Sequence, residues 1–137
     1  MRIGSPKEVM PGEARVAMTP DSAAQLQKLG YECFIENGAG QLARFSDADY
    51  ESAGVTVVDS PNALFEAVDV VVKVRPPIED EVKRLNEGQT LIGFFDPVGN
   101  GELLELAKTR KVNVIAMEMV PRISRAQKMD ALSSMAN

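Results

Sequence analysis

The chain has 137 residues, a length typical of one domain, with ordinary hydrophobic and charged fractions of 45% and 26%. Its net charge of −5 argues against a nucleic-acid partner, because binding a phosphate backbone requires a basic face. No apolar run approaches the ~20 residues that a helix needs to cross a bilayer. The charged residues at the N-terminus are not followed by the apolar stretch that is typical of a secretory signal peptide.

The chain contains no histidine and a single cysteine, Cys33. This composition excludes a Ser-His-Asp triad, a Cys-His pair and the usual imidazole-rich zinc sites, so we expect no metal. A disulfide within the chain is impossible, which favours a reducing compartment. Cys33 lies in a predicted strand and is expected to be a small buried apolar residue.

Short β-branched runs alternate with helical patterns, which is typical of a parallel α/β sheet. In the first half of the chain, strands are predicted at residues 2–4, 32–36 and 55–58. Helices are predicted to begin after the N-caps Thr19, Ser46 and Ser60, and to end at Gly30, before Gly54 and near Ala67.

Residues 68–74 are almost continuous valine and predict a strand buried on both faces, stopped by Pro76 and Pro77. Two further strands are predicted at residues 90–95 and 112–117. A weak helix is predicted at residues 79–86, closed by Gly88. The next helix begins at Asn100 and places Leu103, Leu106, Ala107 and Arg110 at helical spacing. The predicted fold class is therefore α/β: an open, mainly parallel sheet flanked by helices, Rossmann- or flavodoxin-like.

A last helix is predicted to begin near Lys128 and to be cut short at Asn137. We therefore expect a single α/β domain over residues 1–137 that is part of a larger protein. The alternative is a natural terminus that frays.

Ligands of open parallel sheets bind beyond the carboxyl ends of the strands, and polar side chains recur there. Lys7 and Arg15 follow the first strand, Lys73 and Arg75 end the fourth, Asp96 ends the fifth, and Glu118, Arg122, Arg125, Gln127 and Asp130 follow the sixth. Cations that converge on one edge suit an anionic or strongly polar ligand. The alternative is a solvated rim with surface ion pairs.

The run Gly38-Ala39-Gly40-Gln41-Leu42-Ala43 fits the dinucleotide pattern G-x-G-x-x-A, with Asp59 about 20 residues further on. That fingerprint requires a helix to begin within the glycines, so that its N-terminus meets the pyrophosphate. Here Arg44-Phe45-Ser46 intervenes, and Ser46 is the better cap. We interpret the glycines as a tight turn and expect no dinucleotide fingerprint in the chain.

The most specific pattern is Pro121-Arg122-Ile123-Ser124-Arg125-Ala126-Gln127, followed by Asp130-Ala131-Leu132-Ser133-Ser134 and Asn137. It strongly resembles the nicotinamide-site segment of the NAD(P) transhydrogenase alpha subunit family. The front of the chain resembles the N-terminal domain shared by alanine dehydrogenases and transhydrogenases. The runs that carry this second resemblance are residues 1–8, 13–17, 19–20, 36–40 and 72–77.

The resemblance implies a NAD(H) site lined by Arg122, Ile123, Ser124, Arg125, Gln127, Asp130, Leu132 and Ser133, with no catalytic residue. It implies hydride transfer between NADH and NADP⁺ coupled to proton translocation, with NADP(H) on a partner component. The implied partners are the NADP(H)-binding and membrane components, with a homodimer in the intact protein. The implied location is cytoplasmic, peripheral to the inner membrane through the complex, and the chain alone is expected to be inactive.

Two alternatives remain open. One is an amino-acid dehydrogenase relative, although Arg75 and Asp96 stand where the resemblance places a lysine and a histidine in alanine dehydrogenases. An arginine does not readily release its proton and is a poor acid. The other is a non-catalytic folded fragment that binds no nucleotide. Hydride transfer between two nicotinamides needs no protein acid or base, which fits the absence of histidine.

Overall fold

The computed structural model describes residues 1–95 and 99–117. Its strands are β1 (Arg2–Ser5), β2 (Glu32–Glu36), β3 (Thr56–Val58), β4 (Val70–Val72), β5 (Thr90–Gly93) and β6 (Asn113–Ala116). Its helices are α1 (Pro20–Lys28), α2 (Asp47–Ser52), α3 (Pro61–Ala67), α4 (Glu79–Arg84) and α5 (Gly101–Thr109), with a short 3-10 helix at Gln41–Ala43.

The strands form one six-stranded sheet in the order β3-β2-β1-β4-β5-β6. Every neighbouring pair is parallel. This is the strand order of dinucleotide-binding α/β folds. The predicted fold class is confirmed: an open parallel sheet flanked by helices.

Local capping explains where the first three helices begin. Thr19 Oγ1 accepts a hydrogen bond from the Ser22 amide at 3.1 Å, and Ser22 Oγ accepts one from the Thr19 amide at 2.8 Å. Ser46 and Asp49 form the same reciprocal pair at α2, whereas at α3 Ser60 accepts a hydrogen bond from the Ala63 amide. Since a side-chain cap stabilises a helix by about 1 kcal/mol, these residues define the starts that the sequence predicts.

The sheet separates two apolar clusters. The first contains Leu26 of α1 and Tyr50 of α2, together with Ile3, Ile35 and Val72 from the sheet. The second lies on the opposite face and includes side chains from the other helices and from the central strands: Leu64, Phe65, Val71, Val82, Leu85, Leu91 and Ala107. Val70, Val71 and Val72 are 9%, 0% and 8% exposed, so the prediction that this strand is buried on both faces is confirmed.

The predicted bounds of this strand, residues 68–74, are wrong at both ends. Val68 ends α3, and its carbonyl accepts a hydrogen bond from the Gln89 side chain at 2.7 Å. At the other end, the Val74 amide donates to the carboxylate of Glu8 at 2.9 Å instead of to a neighbouring strand. Side chains from distant segments therefore replace the expected ladder.

Other predicted bounds are longer than the observed elements. The strands predicted at residues 90–95 and 112–117 are the shorter β5 and β6. The helix predicted at residues 79–86 ends at Arg84, because Leu85 has extended backbone angles. Apolar residues continue past the last residue that is hydrogen-bonded to the neighbouring strand. The apolar run therefore overstates the length of the strand.

Cys33 is buried, as predicted, and burial raises the pKa of its thiol to about 11. The neutral thiol therefore persists at physiological pH and packs as a small apolar group. In residues 1–95 and 99–117, no helix combines the length and apolar character that crossing a membrane requires.

Candidate functional site

The candidate site lies at the carboxyl ends of β1 and β4, which are neighbours in the sheet. The chain leaves β1 toward α1, whose Leu26 packs in the first cluster. It leaves β4 toward α4, whose Val82 packs in the second cluster on the other face. Because the two connections diverge to opposite faces, a crevice opens between them. Open α/β sheets bind their ligands at such a topological switch point.

A buried ion network occupies the base of this crevice. The Lys73 ammonium contacts Glu8 Oε1 at 3.0 Å and Glu81 Oε2 at 3.1 Å. The three side chains are only 1%, 2% and 3% exposed, in the order Lys73, Glu8, Glu81. Buried charges are tolerated only when they are paired and hydrogen-bonded, and this network meets that condition.

Each carboxylate of the network also binds backbone amides. Glu8 Oε2 accepts from the Val74 amide at 2.9 Å, and Glu8 Oε1 accepts from the Arg75 amide at 3.2 Å. Glu81 Oε1 accepts from the Ile78 amide at 3.0 Å, at the N-terminus of α4. A carboxylate in that position also interacts favourably with the helix dipole. The network thus ties the loop after β1, the end of β4 and the start of α4 together.

β5 passes very close to the end of β4 at this point. A Cβ on Gly93 would lie 2.8 Å from the Lys73 carbonyl oxygen. Only glycine permits this approach without moving the backbone. The glycine that ends β5 therefore contributes to the placement of Lys73.

A second carboxylate of the loop after β1 holds an arginine. Glu13 accepts hydrogen bonds from Arg15 Nη2 at 2.8 Å, from Arg15 Nε at 2.9 Å and from the Arg15 amide at 2.9 Å. The Glu13 side chain is 7% exposed, whereas that of Arg15 is 69% exposed. The carboxylate is therefore covered, and the guanidinium that it orients faces solvent.

This geometry lowers the pKa of Glu13 from 4.5 to about 2. The side-chain hydrogen bonds from Arg15 are the main cause, and the positive charges of Arg15 and Arg75 contribute. The same pairing raises the pKa of Arg15. Residue 75 follows shortly after β4, so the Arg75 side chain starts from this end of the sheet and, like that of Arg15, is exposed.

The Glu13 carboxyl is expected to titrate near pH 2 in carbon-detected NMR, and Arg15→Leu is expected to return it toward 4.5. A lowered folded-state pKa gives stability that is present above about pH 4.5 and is lost as pH falls through about 2. Arg44→Leu, an exposed arginine elsewhere, serves as the control. Titration of Glu13 near 4.5 in the unsubstituted chain would show that the pairing does not persist in solution.

The neighbouring strand contributes one more carboxylate to this edge. Glu36, at the end of β2, accepts a hydrogen bond from the Lys7 amide at 3.0 Å. Burial raises the pKa of Glu36, since the charged form is partly desolvated. Lys7 itself is exposed.

Four of the cations that the sequence places at this edge lie in the described segments that follow β1 and β4: Lys7, Arg15, Lys73 and Arg75. For Lys73 the solvated-rim alternative is wrong, because this lysine is buried in an ion network. The remaining predicted residues lie outside the described residues. They are Asp96, Glu118, Arg122, Ile123, Ser124, Arg125, Gln127, Asp130, Leu132 and Ser133.

Sequence reasoning missed the carboxylates Glu8, Glu13 and Glu81. One signal was available: a lysine at the end of an all-valine strand is buried, and a buried lysine requires a carboxylate partner. That argument does not say which of the many acidic residues supplies the partner. Glu8 is 65 residues away from Lys73 along the chain.

The interpretation of the glycines after β2 as a tight turn is confirmed. Gly38 has a φ of +77°, and a 3-10 helix follows at Gln41–Ala43. A Cβ on Gly40 would lie 2.6 Å from the Tyr50 ring, so this glycine is required by packing. The next α-helix begins only after Ser46. No α-helix therefore begins within these glycines, as the dinucleotide fingerprint would require.

Known proteins show the same domain. The chain matches the family described as the alanine dehydrogenase/PNT N-terminal domain over residues 4–137. It is 66% identical to an NAD(P) transhydrogenase subunit alpha of Cereibacter sphaeroides, over the whole chain and 26% of that relative. It is 35% identical to an alanine dehydrogenase of Bacillus subtilis, over 88% of the chain and 32% of that relative.

Among solved structures, the chain superimposes on a transhydrogenase from Sinorhizobium meliloti with a TM-score of 0.87 and 38% identity. The match covers 97% of the chain and 40% of that structure. The chain therefore spans between about a quarter and two fifths of the proteins it resembles. The fold, the family match and the identities together show that this chain belongs to the family of alanine dehydrogenase and transhydrogenase N-terminal domains.

Proposed function

We propose that the chain is the N-terminal part of the NAD(H)-binding component of a proton-translocating NAD(P) transhydrogenase. In this proposal it lines the nicotinamide site and belongs to an enzyme that transfers hydride between NADH and NADP⁺. The observation that carries the proposal is the motif at residues 121–137, in a chain 66% identical to a protein named as a transhydrogenase alpha subunit.

The topology supports the proposed location of the site. All strands are parallel, so their carboxyl ends lie along one edge. The chain leaves β6 at that edge, and the motif begins at Pro121, four residues after Met117. We therefore propose that the motif lies close to the edge that holds the Lys73 network.

The side chains of the motif suit the nicotinamide end of the cofactor. An amide group requires both a donor and an acceptor opposite it, and Gln127 with Asp130 or Ser133 supplies both. Arg122 would hold the carboxamide or the nearby pyrophosphate, and Arg125 would orient Asp130. Ile123, Ser124 and Leu132 would complete the lining. Bound NADH supplies the hydride, and the chain contributes orientation and exclusion of water.

The described residues fit a dinucleotide site that is shared with a second domain better than one that is complete within this chain. The amides at the N-terminus of α1 are capped by Thr19 and Ser22, and the ion network fills the base of the crevice. Neither location offers the open helix N-terminus that binds a pyrophosphate. We therefore propose that a second, Rossmann-type domain holds most of the dinucleotide, while this domain covers the ring.

The remaining components of the proposal concern the intact complex. NADP(H) would be bound by a partner component, and a membrane component would translocate protons. The intact protein would be a homodimer, cytoplasmic and peripheral to the inner membrane. The 137-residue chain alone would be inactive, because in this proposal the second domain holds most of the dinucleotide.

The proposal is tested by a chimera in which this chain replaces the matching 26% of the Cereibacter sphaeroides alpha subunit. NADH-dependent reduction of NADP⁺ is expected in the reassembled complex. Arg122→Ala is expected to raise the dissociation constant for NADH about 10- to 100-fold, because a hydrogen bond to a charged group contributes about 1.5–3 kcal/mol. Isothermal titration measures this constant.

Arg2→Ala is the matched control, since Arg2 is exposed and begins β1 at the opposite edge of the sheet. Its NADH affinity is expected to equal that of the unsubstituted chimera. Unchanged affinity in Arg122→Ala would overturn the role of Arg122. Pyruvate reduction by the chimera would support an amino-acid dehydrogenase instead. A folded chimera that binds no nucleotide would support the non-catalytic alternative.

A further inference from the structure

Glu8 binds two backbone amides in addition to the ammonium group with which it forms an ion pair. Its carboxylate accepts from the Lys73 ammonium at 3.0 Å, the Val74 amide at 2.9 Å and the Arg75 amide at 3.2 Å. Both oxygens are engaged, and the side chain is 2% exposed. One buried carboxylate thus binds three consecutive residues at the end of β4.

These amides have no partner in the sheet. β4 ends at Val72, and the Lys73 amide makes the last ladder bond, to the Ile92 carbonyl at 2.9 Å. Beyond it, Glu8 takes over the role of a neighbouring strand. It therefore decides the direction in which the backbone leaves the sheet and the position from which the Arg75 side chain projects.

Arg75 is exposed, and its guanidinium makes no hydrogen bond or ion pair to any residue in 1–95 or 99–117. Its charge nevertheless lowers the pKa of the Glu13 carboxyl, which binds Arg15. The guanidinium is thus exposed beside the carboxyl end of β4, with its donors available to a ligand. Its placement depends on the backbone that Glu8 holds.

We propose that Glu8 is a positioning residue that fixes Arg75 at the mouth of the switch-point crevice, where Arg75 contacts the anionic dinucleotide. This inference rests on the proposed function, and it assigns Glu8 and Arg75 roles in that site. A pre-placed guanidinium loses less conformational freedom when the ligand binds, so it contributes more to affinity.

The substitution Glu8→Gln separates this role from simple space filling. Glutamine has the same shape, but only one of its two terminal atoms accepts hydrogen bonds. Its NH₂ group would therefore face a backbone N–H at residue 74 or residue 75. The turn would then lose one of its contacts, while the volume of the buried side chain stays the same.

A double-mutant cycle in the chimera described above tests whether Glu8 acts through Arg75. Arg75→Ala is expected to raise the NADH dissociation constant about ten-fold, the value of one charge-assisted hydrogen bond. Glu8→Gln is expected to raise it about three- to ten-fold. In the Arg75→Ala background, Glu8→Gln is expected to have no further effect. Hydrogen exchange at the Val74 and Arg75 amides is expected to accelerate in Glu8→Gln.

Asp69→Asn is the matched control, because Asp69 also accepts a backbone amide, that of Arg2 at 2.9 Å, but lies at the opposite edge of the sheet, before β4. Its NADH affinity is expected to remain unchanged. Additive effects of Glu8→Gln and Arg75→Ala on the NADH dissociation constant would overturn the positioning role of Glu8. So would an unchanged affinity in Arg75→Ala. Both outcomes leave the proposed function intact. An unsubstituted chimera that binds no NADH would overturn this proposal together with the proposed function.

Circular dichroism first establishes that each variant is folded. If Glu8→Gln does not fold, Glu8→Asp replaces it in the cycle. Aspartate keeps the charge beside Lys73, but it is one methylene shorter and cannot reach both backbone amides. The same absence of a further effect in the Arg75→Ala background is expected, and additivity would again reject the proposal.

Discussion

Lys73→Met is expected to lower the free energy of unfolding of this domain by about 3–5 kcal/mol, the usual cost of removing one partner from a buried ion network. Methionine approximates the volume of the lysine stem but leaves Glu8 and Glu81 facing one another. Both carboxylates are nearly inaccessible to water, at 2% and 3% exposure. Urea unfolding at neutral pH, followed by circular dichroism, measures the loss.

Lys83→Met is the matched control for this substitution. Lys83 lies on α4 and pairs with Glu79 at 3.1 Å, but the two side chains are 55% and 66% exposed. Exposed ion pairs contribute about 0–1 kcal/mol, so this variant is expected to remain close to the unsubstituted protein. Equal losses in the two lysine variants would contradict the buried network.

Tyr50→Ala is expected to cost about 3–5 kcal/mol, as is usual for removing a large buried aromatic side chain. Tyr50 is 0% exposed, and its ring packs edge-on against Phe45 at 6.3 Å between centroids. Its hydroxyl donates to the Met18 carbonyl at 2.7 Å, which joins α2 to the segment before α1. Thermal unfolding of the purified chain measures the loss.

Two companion variants help to interpret this loss of stability. One removes only the hydroxyl group of Tyr50, and the other removes a less buried tyrosine. Tyr50→Phe leaves the Met18 carbonyl without its donor and is expected to cost about 1–3 kcal/mol. Tyr31→Ala removes the other tyrosine, which is only partly buried, and is expected to cost less than Tyr50→Ala. If Tyr50→Ala cost no more than Tyr50→Phe, packing of the ring would not be the main contribution.

The chemistry of the crevice agrees with a role in orientation. Its buried carboxylates are engaged by Lys73 or by backbone amides, and Glu13 is held by Arg15. Groups bound in this way are held in fixed positions. Hydride transfer between nicotinamides requires no proton transfer to or from a protein group, so the proposed function does not depend on a general acid or base in this domain.

Short-range signals in the sequence predicted the type and order of the described helices and strands. Thr19, Ser46 and Ser60 cap the helices that they were expected to begin, and the valine run at residues 70–72 is buried on both faces. The glycines at 38 and 40 were correctly interpreted as a turn, since Ser46 was the better cap. The motif at residues 121–137 lies outside the described residues, and its role in the site stays a prediction.

The amino-acid sequence by itself thus determined the alternation of elements and the family resemblance, because caps, turns and periodicity act over a few neighbouring residues. Only the tertiary structure decided the strand order, the ends of β4 and the carboxylates that bind Lys73. The hydrogen bonds that Glu8 accepts from Lys73, Val74 and Arg75 span 65 to 67 residues of chain. Such contacts exist only after the parallel sheet has brought the ends of β1 and β4 together, so no local pattern could specify them.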